Sequence, residues 1–95
     1  MIERHVTFDL FPDQTAVFED FFTKEYRPAM ASMPGFISVH LLRKQKNPLS
    51  YQMVIRFDSP ENAAAWRASP LHLSLSPKLK ALYSTSLVEV YEVIA

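Results

Sequence analysis

Ninety-five residues suffice for one domain and are too few for two. Ten Lys and Arg balance ten Asp and Glu, which argues against a nucleic-acid partner, because displacing counterions from phosphates needs excess positive charge. Cysteine is absent, excluding a disulfide framework, a thiolate metal site and a cysteine nucleophile.

Ile2 to Leu10 alternates with period two, placing Ile2, Val6, Phe8 and Leu10 on one face and Glu3, His5, Thr7 and Asp9 on the other. Arg4 interrupts the apolar face. Met1-Ile2-Glu3-Arg4-His5 lacks the apolar core of a secretory signal and reads directly as this strand. Pro12-Asp13 then suits the opening of a helix. From Thr15 to Met33, apolar residues recur at spacings of three and four (Val17, Phe18, Phe21, Phe22, Tyr26, Met30), giving one wide stripe, with Pro28 expected to bend the helix near Arg27. Met33-Pro34-Gly35 ends it.

Phe36 to Arg43 and Tyr51 to Asp58 form a hairpin about a polar loop with a turn signal at Asn47-Pro48. Alternation groups Phe36, Ser38, His40 and Leu42, and apolar residues occur on both faces of the pair. Ser59-Pro60 and Ser69-Pro70 each place a capping serine before a proline at the first helical position, so two short helices follow, the second bent at Pro77. Thr85 to Ile94 reads as the last strand.

The order β-α-β-β-α-β implies an α+β, ferredoxin-like fold over residues 1–95: a four-stranded antiparallel sheet with helices on one face. Helices cover only one face, so a second copy is expected on the other, giving a two-fold homodimer. No apolar run is long enough to span a membrane, and a soluble cytoplasmic domain is expected. The lone Gly35 cannot build a phosphate-cradling loop. His5, His40 and His72 are scattered without metal-ligand spacing, so no metal is expected, and no Gly-x-Ser-x-Gly elbow occurs.

Met33-Pro34-Gly35-Phe36, Arg56-Phe57-Asp58-Ser59-Pro60-Glu61 and Trp66-Arg67-Ala68-Ser69-Pro70-Leu71-His72 resemble the antibiotic biosynthesis monooxygenase family of dimeric α+β barrels. The resemblance covers nearly the whole chain and implies a cavity between the sheet and the helices of each subunit. It also implies oxygenation of a small aromatic or quinol substrate without metal, flavin or other cofactor. A related branch degrades haem through an Asn on the first strand, a Trp in the second helical region and a haem-ligating His. Trp66 matches that Trp, His5 falls near the Asn position, and Ser76 stands where the ligand His would be, so weak haem binding at most is expected.

Within that frame His5 either takes a phenolic or enolic proton or sits inert at a dimer seam. His72 orients or deprotonates a ligand, while Trp66 stacks on a flat ring or serves as a core anchor. Phe22, Tyr26, Met30 and Met33 are core, or pocket if the cavity lies beneath the first helix, and Tyr26 adds a phenol for a ligand oxygen. His40 approaches the same cavity or lies at the surface. Arg27 and Arg56 either offset an anionic ligand or are solvated. A non-catalytic barrel that binds a hydrophobic small molecule, or a stress-associated interaction module, fits the same residues.

Overall fold

The computed structural model describes all 95 residues. Four strands, β1 (Ile2–Leu10), β2 (Phe36–Arg43), β3 (Ser50–Phe57) and β4 (Tyr83–Glu92), form one antiparallel sheet in the order β2-β3-β1-β4. Helices α1 (Thr15–Phe21), α2 (Arg27–Ala31), α3 (Pro60–Ala68) and α4 (Pro70–Lys80) complete it. The two central strands, β1 and β3, carry the core. Tyr51, Met53, Ile55 and Phe57 are all buried while the residues between them are half-buried, the period-two pattern of a sheet covered on one side.

The serines at 59 and 69 cap as the Ser-Pro pairs predict. Ser59 Oγ accepts from the Asn62 N–H at 3.1 Å, and Ser69 Oγ accepts from the His72 N–H at 3.2 Å. Each bond satisfies one of the orphan donors at a helix start. Ser69 Oγ also donates to the Trp66 carbonyl at 2.7 Å, so one hydroxyl ties the end of α3 to the start of α4. That tie fixes Trp66 and His72 relative to each other.

Four local details differ from the sequence expectation. The stripe from Thr15 is not one α-helix: Phe22–Tyr26 forms a π-helical turn between α1 and α2. Pro28 lacks an N–H and its ring would crowd the carbonyl four residues back, and the wider turn ahead of it relieves that clash. Asp13 does not cap a helix. It takes φ 70° in a turn closed by the Gln14 N–H to Phe11 carbonyl bond of 3.2 Å, and the helix begins at Thr15. In β2 the register shifts between Phe36 and Ser38, which turns Phe36 toward the helices and leaves Ser38, His40 and Leu42 on the open face. β4 begins two residues earlier than its apolar run, because the Ser84 and Thr85 hydroxyls bind the Asp9 carbonyl and carboxylate at 3.0 and 2.7 Å.

Gly35 is the position with least freedom. Its φ is +77°, and an added Cβ would lie 2.3 Å from Asp58 Oδ1 and 2.4 Å from Asn62 Nδ2. Gly35→Ala combines left-handed backbone with overpacking, and urea unfolding should show a loss of about 2–3 kcal/mol. A loss within ~0.5 kcal/mol would mean that the α3 entry shifts freely.

Candidate active site

A cavity of about 190 Å³ lies between the helix-covered face of the sheet and the α3–α4 pair. Alternation on β1 sends Arg4, Val6 and Phe8 into it, β3 contributes Met53 and Ile55, and β4 contributes Ser86 and Val88. Val88 of β4 is 44% exposed, and Arg67 and Lys80 of the helices are exposed as well, so the cavity is open to solvent. The opposite wall is an aromatic cluster. Tyr26 and Trp66 meet edge to face at 5.6 Å, and His72 lies 5.0 Å from Trp66 and 6.3 Å from Tyr26 between ring centroids.

Each ring reaches this wall for a local reason. The π-helical turn advances the helical face so that Phe22, stacked on Tyr26 at 6.5 Å, stays in the core while Tyr26 lines the cavity. Trp66 ends α3 and His72 begins α4, and the Ser69 hydroxyl clamps both.

Burial pushes the Tyr26 phenol up to about 12, offset in part by the Trp66 indole N–H and the Arg4 charge. Tyr26 is therefore a neutral hydrogen-bond donor throughout the physiological range. His72 moves the other way. Desolvation holds its imidazole below the usual 6.5, and the charges of Arg4, Arg67 and Lys80 add to this. The Arg67 backbone, nearby but outside hydrogen-bond geometry, opposes the shift. The Nδ1 atom of His72 is buried and has no hydrogen-bond partner. His72 lines the cavity as a neutral imidazole, the protonation state a general base requires, while its Nδ1 is turned away from solvent.

The structure brings Tyr26, Trp66 and His72 together and separates them from the other predicted site residues. His5 does not reach the cavity. It projects from the opposite face of β1, where its Nε2 lies 2.5 Å from Glu3 Oε2 and its ring 4.7 Å from that of Tyr91. Glu3 also accepts from Arg56 Nε at 2.5 Å, and these two partners, His5 first, hold its carboxyl below the usual range. His40 is exposed on the same open face, in register with Val54. Phe22 and Met30 are fully buried in the core and do not line the cavity. Arg27 stacks over Phe22 at 4.9 Å, so neither Arg27 nor Arg56 faces the cavity. The cavity cations are instead Arg4, Arg67 and Lys80, which sequence reasoning passed over. The one available signal was an arginine on the apolar side of a strand, between Ile2 and Val6. Ser76 lines the cavity below His72.

Residues 1–76 match the model of the family described as antibiotic biosynthesis monooxygenase. The chain belongs to this family. Among solved structures, SnoaB from Streptomyces nogalater, a cofactor-independent oxygenase, superposes with a TM-score of 0.88 at 24% identity, covering 99% of this chain and 93% of that one. Rv0793 from Mycobacterium tuberculosis gives 0.84 at 17% identity, covering 99% and 95%. At such identities these neighbours show the fold alone. No curated protein matches the sequence. No helix is long and apolar enough to cross a membrane.

Proposed function

We propose that this chain is a cofactor-independent monooxygenase acting on a small flat phenol or quinol bound between Trp66 and the sheet. The observation that carries the reading is a neutral His72 set against Trp66 and Tyr26 in the lining of one cavity. Family membership and the oxygenase SnoaB among the structural neighbours support it. His72 takes the phenolic proton, and Tyr26 donates a hydrogen bond to the ring oxygen. The phenolate passes one electron to dioxygen, and the radical pair closes a carbon–oxygen bond. Loss of the ring C–H proton and of the distal oxygen as water leaves a carbonyl. For 1-naphthol the balance is naphthol plus dioxygen to 1,4-naphthoquinone plus water. Exclusion of bulk water by the apolar lining keeps the anion poorly solvated and a better electron donor.

The volume sets the substrate size. A dry cavity of about 150 Å³ holds benzene, so 190 Å³ takes one ring fully and a second toward the mouth. Haem belongs to pockets of several hundred Å³, and Ser76 offers no imidazole, so the cavity does not fit it. Oxygen uptake across one- and two-ring phenols and quinols tests the reading. Turnover above the buffer rate is expected for at least one of them, and co-purification of an unreacted ligand with no turnover would assign the cavity to binding alone.

The same reading places a second copy over the open sheet face. Leu42, Leu87 and Tyr91 are exposed there at 50, 62 and 44%, an apolar surface that a 95-residue domain seldom leaves in water. Sedimentation at micromolar concentration should give a species of two chains, and a stable 10.9 kDa monomer would remove this part.

A further inference from the structure

Three cations border the cavity, and no carboxylate lines it. Arg4 enters from β1, in register with Ile55 and Val90, while Arg67 enters from α3 and Lys80 from α4. None of the three takes part in an ion pair or a side-chain hydrogen bond. The acid nearest in sequence, Glu3, points to the other face and is occupied by His5 and Arg56. The chain as a whole is neutral, with ten basic and ten acidic side chains, so this clustering does not reflect a general excess of positive charge. Arg4 is the least solvated of the three. Burial, then the Arg67 charge, disfavours its protonated form. Arg4 is half-buried and has no partner, so its charge carries a desolvation cost that an anion in the cavity would offset.

We infer that the cavity selects an anionic ligand: a one- or two-ring aromatic acid whose carboxylate pairs with Arg4 while its ring lies against Trp66. This rests on the proposed function for the place of the site and deepens it by naming the substrate class. The guanidinium fork matches a carboxylate bidentately, which a neutral quinol cannot exploit. Arg67 and Lys80, both exposed, draw the anion to the mouth, and Arg4 holds it inside. The carboxylate thereby fixes which ring carbon stands near His72, so Arg4 is a binding and positioning residue for the oxygenation.

Calorimetric titration of the whole protein with 1-naphthoate and its neutral isostere 1-naphthamide, at pH 8 and low salt, tests this without reference to turnover. The acid should bind about tenfold more tightly than the amide. In Arg4→Gln that preference should fall below about threefold, while Arg4→Lys keeps part of it. Equal affinities in the wild type, failure of both probes to bind, or a preference that survives in Arg4→Gln would overturn the inference. If Arg4→Gln unfolds, the wild-type ratio and its decline with salt decide. An acid preference without oxygen uptake would leave the anion site standing and remove the oxygenase reading. Uptake on neutral phenols without an acid preference would do the reverse.

Discussion

His72→Gln is expected to lower kcat/KM for phenol oxygenation by about 10²–10⁴-fold, the usual contribution of a positioned general base. Glutamine retains hydrogen-bonding groups near the ring position and cannot take up a proton, so the loss reports proton transfer rather than packing. The pH profile separates the same two causes. Only the neutral imidazole accepts a proton, and desolvation together with Arg4, Arg67 and Lys80 places its titration below 6.5. The acid limb of kcat/KM should therefore fall at a pH below 6.5 in the wild type and vanish in His72→Gln. Stability follows the same sign. Between the folded-state pKa and 6.5 the unfolded chain binds more protons, so His72 favours the fold above 6.5, and this contribution is lost as pH falls through the folded-state value. An acid limb above 6.5, or one retained in His72→Gln, would assign the base elsewhere.

Trp66→Ala should cost about 3–5 kcal/mol in urea unfolding, because it empties a site that is 3% exposed and removes a ring contacting both Tyr26 and His72. Small domains have only about 5–15 kcal/mol in total, so a measurable unfolded fraction is expected at 37 °C. Trp66→Phe keeps most of the volume and should lose less than half as much. A loss under ~1 kcal/mol for Trp66→Ala would mean that the cavity wall collapses without penalty and is not a fixed platform for a ring. Because Trp66 is the single tryptophan, intrinsic fluorescence follows the cavity wall directly during unfolding.

Much of this architecture was legible in the residues. Period-two alternation gave β1 and β3, and the Ser-Pro pairs gave both helix starts, because a capping hydroxyl and a proline ring act within a few residues of themselves. The less legible features depend on contacts made at a distance. Alternation places Glu3 and His5 opposite Val6 and Phe8 and marks the apolar face as the covered one. That the cavity lies on this same face is set by the helices packed against it. The polar face of β1 proved to be the open one, which removes His5 and His40 from the cavity. The β2 bulge slips Phe36 onto the helix side, a shift that backbone pairing sets and periodicity hides. Trp66 and His72 were recognisable as neighbours across a helix break, whereas Arg4 was not recognisable as a site residue. Its significance comes from the absence of any carboxylate around it, which only the folded arrangement reveals.

The central claim is that this cavity adds one atom of dioxygen to a phenol with His72 as the base. Oxygenation of 1-naphthol under ¹⁸O₂ in chelator-treated buffer, with product mass measured for wild type and His72→Gln, tests it most directly. The account predicts one ¹⁸O in the quinone formed by the wild type and product at the uncatalysed level in the variant. An unlabelled product, or equal labelled product from both proteins, would contradict it.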